Sequence, residues 1–245
     1  MELKVLGSSS KGNCYLLDNG DECLMIECGI AFTNVQKAVS FDISRICGAI
    51  VTHEHGDHAK HVQKALDAQI PVWMSEGTRN ALNLHSSLLH TMSELGIYNI
   101  GKFKVQPFKV QHDAAEPFGY LIHHSECGLV LFATDTYYLH YTFSGLNNIM
   151  LECNYKQAIL DANVESGKIH PAMRQRTMKS HCSFATCKEI LQANDLSKVN
   201  NIVLVHLSDS NSDADEFRKG IMEATGKNVH IAERGLTINF NVTPF

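Results

Sequence analysis

The stretch VTHEHGDHAKH, residues 51–61, places four histidines, a glutamate and an aspartate within eleven positions. It overlaps the end of the apolar run ICGAIV, which has the length and continuous hydrophobicity of a buried β-strand. Loops that follow strand ends commonly display functional side chains. The first two histidines are two residues apart, so both can point to one side of an extended turn. Imidazole and carboxylate groups at this spacing suit zinc and, less selectively, manganese or iron. The pattern HxHxDH therefore predicts a metal site formed by His53, His55, Asp57 and His58.

A second interpretation of the same stretch is the polar start of a helix, with Asp57 as its N-cap. That interpretation would suit any one of the histidines alone, but it does not explain the whole pattern directly after a buried strand. His61 lies three residues beyond His58 on the expected helix. We expect His61 to face solvent or to support the ligands.

The composition is that of a folded globular protein. The chain has 245 residues, of which 44% are hydrophobic, and we expect one domain that spans residues 1–245. We find no apolar run close to the roughly 18 residues that cross a bilayer, and no signal-peptide pattern, so we expect a cytoplasmic protein without membrane association. The eight cysteines form no CxxC pair, and we expect most of them to be reduced and buried. The net charge of −5 argues against a protein that binds nucleic acid through its overall charge, but it is compatible with a local basic groove.

The order of predicted elements indicates an α+β protein. Three strands open the chain, ELKVL, CYLLD and ECLMIECG, and the turn NGD between the last two is a hairpin signal. Residues 57–68, DHAKHVQKALDA, have apolar spacing that predicts one helix. Further strand-like runs alternate with helical stretches up to the closing strand LTINFNV. Strand groups with interleaved helices in both halves suit sheets that have helices outside them.

Three more candidate ligands each follow an apolar run. His112 comes after KFKVQPFKV, Asp135 comes at the end of LVLFATD, and His206 comes after NIVLV. Each position alone is also compatible with a buried hydrogen-bonded histidine or a turn residue. Their joint occurrence at strand ends favours a metal site built from several segments.

The order of motifs GSSSxGN, HxHxDH, HDAxxPxGY, ATDT, LECN, HxS and HLSxxN resembles the metallo-β-lactamase superfamily, and within it the YycJ (WalJ)-type branch. The resemblance covers roughly residues 2–238 and implies a four-layer αββα sandwich with a metal site at one edge, where strand ends meet. It implies two divalent ions, zinc first and manganese or iron as alternatives. One ion would be held by His53, His55 and His112. The other would be held by Asp57, His58 and His206, and Asp135 would bridge both together with a hydroxide.

The same resemblance suggests roles for residues outside the ligand set. Asp57 and His181 are the predicted catalytic residues, and His181 would contact the substrate phosphate or protonate the leaving oxygen. The motif around His181 reads SHCS here, where the related families have a pattern closer to GHLS. The loop GSSSKGN is an ordinary β-turn in one interpretation and a phosphate-binding loop in the other. The candidate substrate residues are Ser8, Ser9, Ser10, Asn13 and Asn211.

The predicted function is a metal-dependent phosphodiesterase or nuclease that acts on DNA as a 5′ exonuclease. The choice of a phosphodiester depends on the resemblance, because the metal ligands carry no information about the substrate. The alternatives are a hydrolase of small or cyclic phosphodiesters, and a member of the superfamily that is not a nuclease.

Two features would discriminate between these substrates. A narrow pocket capped by residues 85–99, HSSLLHTMSELGIYN, would favour a small phosphodiester. An open groove with basic flanks would favour a polynucleotide, and the lysines considered for those flanks are Lys11, Lys60, Lys102 and Lys104. The sequence carries no prediction of oligomeric state.

Overall fold

The computed structural model describes residues 1–243 and contains two seven-stranded β-sheets that pack face to face. In order across the first sheet the strands are β14 (Thr237–Asn239), β1 (Glu2–Gly7), β2 (Cys14–Asp18), β3 (Cys23–Ile26), β4 (Ile46–Ile50), β5 (Val72–Ser75) and β6 (Leu89–Met92). Across the second sheet they are β13 (Asn228–Ile231), β12 (Asn201–Val205), β11 (Leu146–Glu152), β10 (Gly128–Ala133), β9 (Phe118–His124), β8 (Phe103–Lys109) and β7 (Tyr98–Ile100). Pro244 and Phe245, the last residues of the predicted domain, lie outside the described residues, and the assignment of the chain to one domain stays a prediction.

Helices cover the outer face of each sheet. They are α1 (Phe32–Ala38), α2 (Gly56–Ala59), α3 (Val62–Asp67), α4 (Glu76–Leu82), α5 (Gln157–Glu165), α6 (Pro171–Ser180), α7 (Phe184–Ala193) and α8 (Ala214–Thr225). Side chains of α1 and α3 pack on the first sheet, and those of α7 and α8 pack on the second. The predicted four-layer αββα arrangement is confirmed. Among residues 1–243, no helix is both long enough and apolar enough to cross a membrane.

The strand β2 illustrates why the sheets hold their strand ends in place. Every residue of its sequence CYLLD is buried. Tyr15 and Leu17 face the core between the sheets, whereas Cys14 and Leu16 face the helices. Full burial of one such aliphatic side chain contributes about 1.5–3 kcal/mol. A strand that is packed on both faces gives the loop after it a fixed starting point.

Each sheet combines parallel and antiparallel pairing. The strands from β3 to β6 pair in parallel, as do those from β10 to β13. The other neighbours pair antiparallel. Because the carboxyl ends of parallel strands meet at one edge of a sheet, loops after β4, β10 and β12 can converge.

The prediction of one helix over residues 57–68 was wrong, because the chain forms α2 and α3 with a break at Lys60 and His61. The break has a tertiary cause. Cys28 N–H donates to the His58 carbonyl at 2.7 Å, and His61 N–H donates to the Cys28 carbonyl at 2.9 Å. These bonds replace the ones that would continue the helix, and they hold the start of α2 against the residues after β3.

Residues 85–99 include β6 and β7, the edge strands of the two sheets. These strands are short, with the sequences LHTM and YNI, and were not predicted. Their length and mixed polarity explain why neither shows a strand pattern. The segment extends the sheets and so differs from the capping segment that a small-substrate pocket would need.

Candidate metal centre

The candidate ligands all lie just beyond the ends of buried strands, on four segments that meet at one edge of the sandwich. The segments follow β4, β8, β10 and β12, and their ligands are, in that order, His53, His55, Asp57 and His58; His112; Asp135; and His206. Residues that are up to about 150 positions apart in the chain are therefore brought within contact distance. The structure places all seven predicted ligands together.

One set of ligand atoms comes from His53, His55, His112 and Asp135. His55 Nδ1 lies 3.1 Å from His53 Nε2 and 3.1 Å from His112 Nε2. The carboxylate Oδ2 of Asp135 lies 3.5 Å from both of these Nε2 atoms. A tetrahedral zinc site with ligands at about 2.0–2.1 Å has edges of about 3.3–3.4 Å, so these separations fit a metal ion. A proton on His55 Nδ1 would serve only one neighbour well, so hydrogen bonding does not account for the convergence of three ring nitrogens.

A second set comes from Asp57, His58, His206 and again Asp135. His58 Nε2 lies 3.1 Å from Asp57 Oδ2 and 3.2 Å from Asp135 Oδ2. His206 Nε2 lies 3.3 Å from Asp57 Oδ2, and its Nδ1 lies 3.1 Å from Asp135 Oδ1. Within each set the potential ligand atoms are all within 4.8 Å of one another. Asp135 is the residue that the two sets share, and it also belongs to a third overlapping group with Glu152, His181 and His206.

Three strands at this edge are followed within two residues by a residue with a left-handed backbone. Glu27 follows β3 with φ 67°, Asp135 lies two residues after β10 with φ 46°, and His206 follows β12 with φ 54°. Such conformations are costly for residues other than glycine and concentrate at functional sites, where they aim a side chain. Here each one turns the chain so that an acidic or imidazole group points into the cluster.

The loop that carries Asp57 is held by a close backbone contact. Asn13 N–H donates to the Asp57 carbonyl at 2.7 Å. Gly29 lies against the same carbonyl, and a Cβ on Gly29 would lie 1.7 Å from the Asp57 oxygen. A glycine at position 29 is therefore required for the HxHxDH loop to sit where it does.

Glu27 is a supporting residue that the sequence analysis missed. Its side chain is fully buried and accepts a hydrogen bond from Thr52 Oγ1 at 2.5 Å. Because that hydroxyl donates to Glu27, its oxygen accepts from His53 Nδ1–H at 2.9 Å. This arrangement leaves the Nε2 lone pair of His53 directed at the cluster, as a metal ligand requires. His58 Nδ1 also lies 3.2 Å from Glu27 Oε1, at an angle outside hydrogen bonding.

Glu152 is the second missed residue, and it connects His181 to the cluster. The buried Glu152 accepts hydrogen bonds from His181 Nδ1–H at 2.7 Å and from the Thr136 and Cys182 amides. His206 Nδ1 lies 3.2 Å from the same carboxylate. The signals in the sequence were the motif LECN, which contains Glu152, and the position of this acidic residue at the end of the strand LNNIMLE.

The electrostatics of the cluster depend on carboxylates without lysine or arginine partners. Within residues 1–243, the ion pairs of Glu27, Asp57, Asp135 and Glu152 join these four residues to histidines alone. Burial opposes a charged imidazole at His206, but the nearby carboxylates outweigh burial and raise the pKa of His206 to about 10. The same balance raises the pKa of His58. The site therefore attracts positive charge, which protons or a metal cation can supply.

The other histidines of the cluster behave differently. Burial lowers the pKa of His53 well below its ordinary value, and the positive charge of His58 lowers it further. Burial also lowers the pKa of His112. Neutral imidazoles are the form that binds a metal ion. The set around His53 is thus prepared as a ligand set before any ion binds.

The predicted substrate residues fall into three groups. Ser8 Oγ accepts from the His206 amide at 2.9 Å, and Asn13 Nδ2 lies 3.3 Å from Asp57 Oδ2, so both brace the ligand loops. Ser9 Oγ accepts from the Lys11 amide within its own turn. Ser10 and Asn211 line a pocket of about 450 Å³ beside His181 and His206.

Of the four lysines considered for the flanks of a groove, Lys60 caps α2 two residues after His58, whereas Lys102 and Lys104 lie far from the cluster. Lys102 and Lys104 are at the start of β8, whereas His112 follows its far end, about 25 Å away at 3.3 Å per residue. Lys11 pairs with Asp209 at 2.6 Å. Residues 85–99 are also absent from the walls of the pockets at the cluster. Their place is taken by α6, whose residues Met173 and Thr177 line both pockets.

With this fold and this cluster in view, comparison with known families is informative. A family model described as the metallo-beta-lactamase superfamily matches residues 9–136, which is more than half of the chain. The chain belongs to the metallo-β-lactamase superfamily.

Two characterised relatives are similar to this chain within that superfamily. Exodeoxyribonuclease YycJ of Bacillus anthracis is 30% identical over 173 residues, which cover 65% of this chain and 65% of that protein. The match thus spans slightly less than two thirds of the relative's own length. Exodeoxyribonuclease WalJ of Streptococcus pneumoniae is 25% identical over 226 residues, 85% of this chain and 82% of that protein. These similarities support the resemblance to the YycJ-type branch.

Solved structures share the fold at low sequence identity. The Bacillus subtilis protein YhfI, a metallo-beta-lactamase fold protein, superposes with a TM-score of 0.73 at 15% identity, over 97% of this chain and 98% of that one. Unliganded yeast PDE1 gives 0.68 at 13% identity, over 96% and 98% of the two chains. Human tRNase Z, short form, gives 0.65 at 14% identity, over 98% and 99%. At these identities the likeness concerns the fold alone.

Proposed function

We propose that this protein is a metal-dependent phosphodiesterase that degrades DNA from 5′ ends. The observation that carries the proposal is the convergence of seven side chains from four segments into two ligand sets that share Asp135. The two exodeoxyribonuclease relatives support DNA as the substrate. The match with the first of them covers under two thirds of that protein, so the activity needs its own test.

The ligand sets assign each residue a role. His53, His55 and His112 would hold one divalent ion, and Asp57, His58 and His206 would hold a second. Asp135 would contact both, since its Oδ2 faces each set. Nitrogen-rich sites with carboxylates suit zinc best, with manganese or iron as alternatives. When bound, two such ions supply an activated water and neutralise charge on the phosphoryl oxygens.

His181 is the residue best placed to act on the substrate. Glu152 accepts from its Nδ1–H, so the other ring nitrogen faces the pocket that Ser10 and His206 also line. Burial disfavours the charged form, but the carboxylates of Glu152 and Asp135 raise the pKa of His181 above its ordinary value. A protonated His181 can donate to a phosphate oxygen or to the departing oxygen. Asp57 keeps its negative charge there, because hydrogen bonds from His206 and His58 overcome the effect of burial and lower its pKa.

The test is cleavage of DNA by the purified protein with and without metal. We expect 5′-phosphorylated single- or double-stranded DNA to be shortened from the 5′ end, the reaction to stop with a chelator, and zinc or manganese to restore it. End-labelled strands resolve the direction of degradation. Inactivity on DNA and RNA, together with chelator-sensitive hydrolysis of bis(p-nitrophenyl) phosphate or a cyclic nucleotide, would contradict the proposal and favour a small phosphodiester.

A further inference from the structure

The segment of residues 166–188 is basic in a chain that is acidic overall. It contains five of the 21 lysines and arginines of the protein and no aspartate or glutamate, whereas the whole chain has a net charge of −5. The segment includes α6 and the first turn of α7, with His181 between them. A local positive field therefore lies directly beside the proposed catalytic residue.

The helix α6 covers the entrance to the cluster. Its residues Met173, Arg176 and Thr177 recur at helical spacing and line the pocket that contains Asp135 and His55. Most of this helix is exposed, and Ser180, its last residue, is its one buried residue. A helix that buries so little of itself gains little from packing. Its sequence is better explained by what it presents to a ligand than by what it contributes to the core.

The cations of this segment divide into paired and unpaired groups. Arg174 donates to Asp161 at 2.6 Å, and Arg176 lies 3.4 Å from Asp113. Lys168 and Lys179 make no ion pair or side-chain hydrogen bond with any other residue in 1–243. They lie eleven positions apart, Lys168 before α6 and Lys179 in its last turn.

Two exposed aromatic residues lie next to the segment that carries His112. Tyr137 and Tyr138 follow Asp135 and are 41% and 43% exposed. Tyr137 N–H donates to the Gln111 carbonyl at 3.2 Å, next to His112. On the opposite side, His112 Nδ1–H donates to the Ser180 carbonyl of α6 at 2.9 Å. The tyrosines and α6 therefore flank the short segment that carries His112.

We propose that α6 and the two tyrosines form the nucleic-acid-binding face of the protein, with Lys168 and Lys179 contacting strand phosphates and Tyr137 and Tyr138 stacking on bases. This inference rests on the proposed function and specifies how that site selects a polymer. Unpaired cations beside exposed aromatic rings are the combination that binds single strands without base-specific contacts. We expect a small phosphodiester, which has a single phosphate, to depend on these four side chains much less than a strand does.

The first experiment measures the binding of a short phosphorothioate DNA strand, which resists cleavage, over a series of salt concentrations. In Lys168→Gln/Lys179→Gln, we expect the slope of log Kd against log salt to fall by about 0.7 for each lost phosphate contact. The affinity should fall by about two- to fivefold for each lysine. The control is Lys104→Gln, an exposed lysine at the start of β8, away from His112, that should leave slope and affinity unchanged.

The second experiment tests stacking. Tyr137→Ala should weaken binding of the same strand by about tenfold, within the range for loss of one base–aromatic contact, whereas Tyr137→Phe should bind like the original protein. For both sets of variants, the ratio of DNA turnover to bis(p-nitrophenyl) phosphate turnover should fall in parallel with the affinity.

The outcomes separate this inference from the proposed function. If the original protein binds and cuts DNA while the charge and tyrosine variants match it in slope, affinity and turnover ratio, the binding face is wrong and the nuclease stands. If the original protein neither binds nor cuts DNA or RNA, both proposals are wrong.

Discussion

Carboxylates near the two ends of β2 have their charges balanced in different ways. Near Asn13, at the start of β2, Asp57 and Asp135 face histidines. At the other end, Asp18 accepts from Lys4 Nζ at 2.7 Å and from Arg45 at 2.8 Å. Lysine and arginine stay charged at neutral pH, so they balance the charge of Asp18 without a metal ion. At Asp57 and Asp135 the counter-charge comes from protons on histidines, and a metal ion can replace those protons. The source of the counter-charge therefore indicates a functional site better than burial does.

The strongest test of this difference is to neutralise Asp135 near one end of β2 and, separately, Asp18 at the other. Asp135→Asn should lower kcat/KM by more than about a hundredfold, because loss of mere supporting partners around a metal already costs 10–100-fold. Asn tolerates the left-handed backbone at this position, so the fold should remain. Steady-state kinetics and metal content by mass spectrometry are the measurements.

Asp18→Asn is the matched control for that substitution, since it removes an equally buried charge far from the ligands. It should keep both turnover and metal content. Full activity of Asp135→Asn with normal metal content would contradict the shared-ligand role.

Metal removal should lower the stability of the fold through the histidine cluster and should not act through Asp18. A metal present at a hundred times its Kd contributes about 2.7 kcal/mol to folding. For a chain of this length, a chelator should then lower Tm by about 5–10 °C. Differential scanning fluorimetry of metal-loaded and chelated protein measures the difference, which Asp18→Asn should keep and Asp135→Asn should largely lose. An unchanged Tm after verified removal of the metal would argue that the histidine cluster is balanced by protons alone.

The sequence was sufficient for the parts of this site that depend on local patterns. HxHxDH after an apolar run marks its own strand end, and the apolar runs before His112, Asp135 and His206 mark three more. The sandwich followed from the motif order, because that order resembles a known family. These signals are all readable along the chain within a window of a few residues.

The remainder of the site depends on contacts between distant segments. Glu27 follows one apolar strand and Glu152 ends another, and although Glu152 lies in the motif LECN, nothing local indicates which histidine either residue would support. The break between α2 and α3 arises from hydrogen bonds to Cys28, which opposes the helical periodicity of residues 57–68. The position of α6 over the cluster is likewise tertiary. Two of the lysines considered for a groove, Lys102 and Lys104, therefore lie at the wrong end of β8.

Glu152 can be compared with Asp135. Both carboxylates face histidines, His181 and His206 in the case of Glu152, but Glu152 is not the ligand that the two sets share. Glu152→Gln should lower kcat by about 10–100-fold, the usual cost of losing a group that orients a functional histidine. If Glu152 acts by positioning His181, its substitution should cost little more in a His181→Ala background. Kinetics of the two single variants and the double variant provide the test, and fully additive losses would show that Glu152 acts by another route.

The smallest effect concerns Asp18, and it is a matter of stability and pH. Burial opposes the charged form of Asp18, but hydrogen bonds from Lys4 and the Gly20 amide, together with Arg45, lower its pKa below the ordinary value. A carboxyl with a depressed folded-state pKa stabilises the fold above the unfolded pKa of about 3.9, and this contribution is lost as pH falls through the folded-state value. Asp18→Asn should therefore lower the free energy of unfolding by about 1–2 kcal/mol at neutral pH, since both cations are partly exposed.

That difference between Asp18→Asn and the original protein should be constant from neutral pH to about pH 5 and should shrink below about pH 4. Urea unfolding of both proteins in the presence of a chelator measures it without a contribution from metal at the histidine cluster. A difference that instead grew on acidification would mean that Asp18 binds its proton more tightly in the folded state. In that case Lys4 and Arg45 would not be acting as its permanent counter-charge, and the contrast between the two ends of β2 would disappear.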